Sequence, residues 1–110
     1  MDVEALRDYV LAYENVSEGF PFGDDTLVFK VNNKIFLLVS LTSAPLQFNV
    51  KCAPVKAIEL REEYPDSILP GYHMNKKHWN TIIVDGTVPK KLLVEMIRDS
   101  YLLVSAAKKP

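Results

Sequence analysis

The order of hydrophobic patterns along the chain predicts an α+β fold, an antiparallel sheet with helices packed on one face. Segments with two-residue alternation follow one another in the first half of the chain and are not interleaved with helices. Apolar residues at helical spacing occur at the N-terminus, near the middle and over the last part of the chain. In such a fold the sheet face opposite the helices is available for binding.

Length and composition indicate one ordinary globular domain over residues 1–110. Hydrophobic residues make up 48% and charged residues 25%, which excludes a disordered tail or a fibrous repeat. No apolar run approaches the ~18–20 residues of a membrane-spanning helix. The acidic start Met1–Glu4 predicts no signal peptide. Because Cys52 is the single cysteine and cannot form an internal disulfide, we expect a reducing compartment, the cytoplasm. The protein is expected to be a monomer.

Three helices are predicted from apolar stripes at spacings of three and four residues. The first covers Met1–Tyr13, with Asp2 as its N-cap. The second covers Pro54–Tyr64, because Pro54 suits a first helical turn and a second proline follows Tyr64. The third and longest covers Pro89–Ala106.

Alternating and β-branched segments predict the strands. These are Val16–Phe20, Thr26–Val31, Lys34–Leu41, Leu46–Cys52 and Trp79–Val84. Asn32 and Asn33 predict a tight hairpin, since asparagine tolerates the left-handed conformation. Asp66–Gly71 is expected to be a loop, and Tyr72–Met74 a short strand beside the last one.

Strict alternation assigns the inward faces. In the third strand it places Ile35, Leu37, Val39 and Leu41 on one face, with Phe36 and Leu38 on the other. In Leu46–Cys52 it predicts one wet face, with Phe48, Val50 and Cys52 inward and Gln47, Asn49 and Lys51 outward. The core is expected to contain Leu37, Val39, Phe48, Val50, Leu60, Ile97 and Tyr101. Cys52 is expected to be buried as a small hydrophobic residue.

The segment Leu69–Asn80 is the strongest candidate for a binding site. It concentrates lysines, histidines, asparagines and aromatic residues, which can pair with phosphate, stack on bases and read base edges. The candidate nucleic-acid-binding residues are Lys76, Lys77, His78, Trp79 and Asn80, helped by Lys51, Tyr72 and His73. Alternatively, Trp79 anchors a strand in the core and the lysines form a solvated turn, so the exposure of Trp79 distinguishes the two.

Other groups of polar residues in the sequence do not favour a metal-binding or catalytic site. Two histidines five residues apart, His73 and His78, lack the further ligands of a tetrahedral zinc site. Glu18, Asp24 and Asp25 could serve acid–base chemistry or bind a cation, but a loop before a strand requires the same residue types. We therefore expect no catalytic residue, no metal and no cofactor.

Several short motifs resemble the MmcQ/YjbR family. They are Pro21–Gly23, Phe29–Val31 with Lys34–Phe36, Lys51–Pro54, Pro70–Asn80, Asp85–Gly86 and Ser100–Val104. The stretch Pro70–Asn80 is the specific part of the match. The resemblance implies a CyaY-like fold with a curved antiparallel sheet, and a DNA-binding role.

These observations predict a non-enzymatic binding module of the MmcQ/YjbR type, with DNA as its partner. The formal net charge of −1 predicts that DNA binding is weak and strongly salt-dependent, because few phosphates can be neutralised. One alternative is a module that binds a protein or a small ligand on the open sheet face. Another is a metal-handling protein, by analogy with the fold.

Overall fold

A computed structural model describes residues 1–71 and 74–106. Their helices are α1 (Val3–Leu11), α2 (Pro54–Glu63) and α3 (Lys90–Ala106). Their strands are β1 (Val16–Gly19), β2 (Thr26–Val31), β3 (Lys34–Ser40), β4 (Gln47–Lys51), β5 (Ile68–Pro70) and β6 (Trp79–Ile83). The strands form one sheet in the order β1-β2-β3-β4-β6-β5, and every neighbouring pair is antiparallel. The predicted α+β class is confirmed.

One hydrophobic core lies between the sheet and the helices. It combines one face of the sheet with residues of all three helices, such as Leu6, Leu60 and Ile97. The predicted core residues Leu37, Val39, Phe48, Val50, Leu60 and Ile97 are buried, as is Cys52. Tyr101 is only half-buried. Its ring packs against Phe36 and Tyr13, whereas its hydroxyl lies at the surface and donates to the Glu14 carbonyl.

Capping and turn residues mark two helix starts and the β2–β3 hairpin at the predicted positions. The Asp2 carboxylate accepts a hydrogen bond from the Ala5 amide at 2.8 Å, which caps α1. Pro54 occupies the first turn of α2, where its missing N–H costs nothing. Asn32 and Asn33 have φ angles of 52° and 67° and make the β2–β3 hairpin.

The third strand departs from strict alternation at Phe36. The β2–β3 register shifts there, so that Phe29 pairs with Leu37 while Lys30 pairs with Ile35. This β-bulge turns Phe36 into the core beside Leu37 and places Ile35 on the opposite face. The prediction that Ile35 and Leu37 share a face is therefore wrong, because a bulge reverses the alternation.

A helix residue completes the hydrogen bonding around the bulge. The Ser100 hydroxyl of α3 donates to the Phe36 carbonyl at 2.6 Å and accepts from the Lys51 amide at 2.9 Å. Pairing between β3 and β4 extends only from Leu37 to Ser40. Ser100 is fully buried and joins the two strands beyond that ladder.

The sheet edge beside β6 also differs from the prediction. Ile68–Pro70, expected to lie in a loop, forms β5 and pairs with β6. The predicted strand Tyr72–Met74 falls partly outside the described residues, and Met74 lies in a bend. Ile68 is fully buried and anchors β5 beside β6. The strand has only three residues, which is too short to show an alternation in the sequence.

Within residues 1–71 and 74–106, no helix is long and apolar enough to cross a membrane.

Candidate functional site

A groove of about 600 Å³ crosses the face of the sheet that the helices leave open. Its lining residues are Phe22, Thr26, Leu38, Ser40, Ser43, Gln47, Asn49, Met74 and Thr81. Six of them lie on the four neighbouring strands β2, β3, β4 and β6, and the other three come from flanking loops. The volume falls within the roughly 300–1,000 Å³ of typical small-molecule sites.

Strand register builds the floor of the groove as two parallel rows of side chains. Thr26 lies opposite Ser40, which lies opposite Gln47. In the second row Leu38 lies opposite Asn49, which lies opposite Thr81. Cross-strand neighbours have Cβ atoms about 4.5–5.5 Å apart, so each row is a continuous strip of contact surface.

Hydrogen bonds between side chains hold several of these groups in place. The Ser40 and Ser43 hydroxyls share a hydrogen bond of 2.7 Å, which ties the β3–β4 loop to the sheet. The Thr81 hydroxyl donates to the Asn49 amide oxygen. These bonds pre-organise Ser40, Asn49 and Thr81 within the floor of the groove.

The described part of the groove lining is uncharged. None of its nine described residues carries a formal charge. Phe22 forms an aromatic wall that is 65% exposed, although large apolar side chains are usually covered. Met74 supplies an adaptable apolar surface. Such a lining suits a neutral ligand better than an ion.

The segment from Met74 to Trp79 connects this groove to the basic residues. The amides of His78 and Trp79 both donate to the Asn75 carbonyl, and the Asn75 side chain accepts from the Lys77 amide at 3.0 Å. These bonds close a tight turn that exposes Lys76 and Lys77 to solvent. We call Asn75–His78 the basic turn.

Arg61 of α2 fixes the basic turn to the body of the protein. Its guanidinium donates to the Lys76 carbonyl, to the Trp79 carbonyl at 3.3 Å and to the Asn80 amide oxygen at 2.7 Å. No ion pair among the described residues involves Arg61, Lys76 or Lys77. Arg61 thus adds a positive charge beside the exposed lysines of the basic turn.

Asn80 is enclosed by the fold. Its side chain is 0% exposed, donates to the Ala57 carbonyl and accepts from Arg61. The sequence predicts that Asn80 contacts nucleic acid, but its amide faces the interior and is hydrogen-bonded within the protein. Strand alternation explains this placement, because Asn80 shares the core side of β6 with Ile82.

Trp79 lies on the open side of β6. It is half-buried and pairs across the strands with Lys51, also half-buried, one step beyond Asn49 and Thr81. Gly71 covers part of it, since a Cβ at Gly71 would lie 2.7 Å from the Trp79 Cβ. Trp79 is thus neither the core anchor nor the fully exposed ring of the two sequence interpretations.

The remaining predicted residues are only partly brought together. His78 is half-buried in the basic turn, whereas Tyr72 and His73 lie outside the described residues. Glu18 forms an ion pair with Arg7, and this hydrogen bond holds the pKa of the Glu18 carboxyl below its usual value. No cluster of three or more metal-ligating side chains occurs in the part of the chain that is described.

A second cleft, of about 320 Å³, lies between the start of α2 and the end of α3. Its walls are mainly apolar and include Cys52, Leu102 and Leu103. Burial raises the pKa of the Cys52 thiol, which disfavours the nucleophilic thiolate. This arrangement gives Cys52 no chemical activation.

Two contributors to the site were not identified from the sequence. Arg61 resembles any solvated residue of an amphipathic helix, so its role gives no sequence signal. The contribution of Phe22 depends on how the β1–β2 loop folds over the sheet. By contrast, the clean alternation of Gln47, Asn49 and Lys51 predicts a wet strand face.

Comparisons with known proteins agree with the motif resemblance. The family model described as YjbR matches residues 11–103. The uncharacterised protein YbdF of Escherichia coli O157:H7 is 42% identical over 101 residues, which cover 92% of this chain and 82% of YbdF. The uncharacterised protein YjbR of Escherichia coli K12 is 26% identical over 101 residues, covering 92% of this chain and 85% of that protein.

Solved structures share the fold. The crystal structure of Deinococcus radiodurans protein DR2400, described by its DUF419 domain, superposes with a TM-score of 0.94 at 45% identity, covering 98% of this chain and 81% of that chain. A Pseudomonas syringae protein shares the fold with a TM-score of 0.76 at 24% identity, covering 94% of this chain and 99% of that chain. On the family match and these relatives, the chain belongs to the YjbR family.

Proposed function

We propose that this protein is a non-enzymatic binding module that holds a small ligand in the open-face groove. The observation that carries the proposal is the groove itself, with its two ordered rows of hydroxyl, amide and apolar side chains. Binding sites on strands of a rigid sheet are more precisely placed than sites on loops.

The chemistry of the groove supports binding without catalysis. Its described lining contains hydroxyls, amides, a thioether and an aromatic ring, but no acid, base or thiol. General acid–base and nucleophilic mechanisms require such groups or an activated hydroxyl. Ser40 and Ser43 bond to each other, and no histidine or carboxylate lies among the described lining residues to activate them.

The proposal is tested by mapping fragment binding onto backbone amides by nuclear magnetic resonance. A mixture of small aromatic and amide fragments is expected to perturb amides of β2, β3, β4 and β6 around the groove. Ser40→Trp should abolish these perturbations, because the indole fills the groove from its floor. Ser17→Trp is the matched control, since Ser17 lies on β1 outside the groove.

Perturbations confined to the cleft beside Cys52 and Leu103, or no perturbation at all, would contradict the proposal. Perturbations that persist unchanged in the Ser40→Trp variant would also contradict it. Circular dichroism should confirm that both variants keep the fold.

DNA binding through the basic turn is the second candidate function. It is favoured by the exposed Lys76 and Lys77 and by the charge of Arg61 beside them, which forms no ion pair within the described part of the chain. Lys51 and Trp79 lie next to each other on the same sheet face and could contribute a phosphate contact and a stacking surface. His78, Tyr72 and His73 complete the proposed contact set, from which the enclosed Asn80 is absent.

Salt dependence tests this second function. Each phosphate contact contributes about −0.9 to the slope of log K against log salt on duplex DNA. Changing both Lys76 and Lys77 to alanine should reduce that slope by roughly 2 and weaken all sequences alike, as measured by fluorescence anisotropy. The matched control changes Lys90 and Lys91, an exposed lysine pair at the start of α3, and should leave the slope nearly unchanged. Absence of binding at low salt would exclude this function.

A further inference from the structure

Resting on the proposed function of the open-face groove, we propose that its ligand carries an uncharged planar heteroaromatic ring with hydrogen-bonding edges, as a nucleoside does. Three properties of the groove lead to this class of ligand: its lack of charge, its aromatic and thioether walls, and the amide and hydroxyl groups on its floor.

The lack of charged residues in the described lining limits the kinds of ligand that the groove can bind. A buried carboxylate or phosphate requires a cationic or strongly donating partner to offset its lost hydration. No cation belongs to the nine described lining residues, and Lys51 lies one step beyond them on β4. The groove thus favours a neutral group over an ion of either sign.

The walls of the groove favour a flat ring. Phe22 offers its ring at the rim, and Met74 offers a thioether from the loop after β5. Stacking on an aromatic side chain and contact with a polarisable sulfur both favour a planar π-system. A phenylalanine that is 65% exposed at the rim gains cover when a ring stacks on it.

The floor supplies groups that both donate and accept. Asn49 and Gln47 carry primary amides on the same face of β4, separated by a single inward-facing residue. A primary amide matches the donor–acceptor edge of a heterocyclic base in a bidentate arrangement. The hydrogen bond from Thr81 fixes the orientation of the Asn49 side chain, because it holds the Asn49 amide oxygen towards β6.

The size of the groove agrees with this class. A groove of about 600 Å³ accommodates a ring together with an attached sugar-sized group. The ring would lie over the Leu38 side chain, which is buried in the floor between the polar groups. An apolar surface with polar groups at its edges suits a ring that hydrogen-bonds through its perimeter.

The experiment measures the affinities of defined probes by nuclear magnetic resonance titration. The probes are the four common ribonucleosides, orotate as a charged planar ring, and methyl glucoside as an uncharged non-planar ring. At least one nucleoside is expected to bind and to shift groove amides. Orotate and methyl glucoside are expected to bind more weakly than the best nucleoside.

Single substitutions then identify which side chains contact the nucleoside. Phe22→Ala should weaken nucleoside binding about 5- to 150-fold, the range of loss for removing one stacking ring. Phe20→Ala is the matched control, because Phe20 is 51% exposed in the same loop region but does not line the groove. Gln47→Leu should also weaken binding, since it removes the amide and retains most of the side-chain volume.

The outcomes separate this inference from the proposed function. If aromatic or amide fragments occupy the groove but no nucleoside does, the ligand class is wrong and the binding module stands. The class is also wrong if orotate or methyl glucoside binds as tightly as the best nucleoside, or if Phe22→Ala leaves the affinity unchanged. If neither fragments nor nucleosides perturb the groove, both proposals fail.

Discussion

The two faces of the sheet differ in what their side chains contact, although the same strands build both. On the helix-covered face, Phe29, Leu37 and Phe48 are at most 1% exposed and belong to one core. On the open face, Ser40 and Asn49 line a groove and hydrogen-bond to neighbouring side chains. Successive residues of one strand thus line the core and the groove in turn.

This contrast explains where a ligand can be recognised. On the covered face the core residues pack against one another, and packed interiors contain few voids larger than water. The open face keeps its donors and acceptors near solvent but fixes their positions through the strand register. Substitutions on the two faces should therefore separate stability from binding.

The largest expected effect is on the covered face. Leu37→Ala should lower the free energy of unfolding by about 2–5 kcal/mol, because Leu37 is fully buried and its truncation leaves a cavity. Ser40→Ala, three residues along the same strand, should change it by only about 0.5 kcal/mol. Urea denaturation measures both values. Similar losses of unfolding free energy in the two variants would show that the two faces contribute equally to stability.

An intermediate effect is expected at Arg61, which connects α2 to the basic turn beside the groove. Arg61→Ala should cost about 1–3 kcal/mol, because it leaves the buried Asn80 amide oxygen without its donor. It should also increase acrylamide quenching of the single tryptophan, Trp79, because the turn loses its attachment.

Arg98→Ala is the control for Arg61→Ala, since Arg98 is an exposed arginine of α3. It should alter neither the unfolding free energy nor the quenching appreciably. Unchanged quenching in Arg61→Ala would show that the basic turn holds its conformation without the guanidinium.

The smallest effect is expected at the rim of the covered face, where Arg7 of α1 pairs with Glu18 of β1. The hydrogen bond from Arg7 lowers the pKa of Glu18, so the pair stabilises the fold above the ordinary glutamate pKa. That stability should disappear as the pH falls through the lowered pKa. Thermal unfolding of Glu18→Gln and the wild type should therefore differ slightly near neutral pH and converge in acid.

Salt provides a second measurement of this pair. Because the pair is largely exposed, added salt should shrink the difference between Glu18→Gln and the wild type at neutral pH. Glu62→Gln on α2 serves as the control, because Glu62 belongs to no ion pair among the described residues. A difference that persists in acid would assign the effect of Glu18 to packing.

The sequence by itself determined the elements whose signals are local. Two-residue alternation located the strands from Thr26 to Lys51, and consecutive asparagines located the hairpin at Asn32. Helical spacing with Asp2 and Pro54 located the first two helix starts. The motif at Pro70–Asn80 supported the family, and the polar alternation of β4 indicated a wet sheet face.

Only the tertiary structure decided how those elements meet. At the bulge, the Phe36 carbonyl accepts a hydrogen bond from Ser100, which lies 64 residues away in sequence. The buried Asn80 side chain accepts one from Arg61, 19 residues away. The groove exists because a loop carrying Phe22 and another carrying Met74 border four paired strands. Pattern reasoning detects the periodicity of a single segment, whereas these features arise from contacts between distant segments.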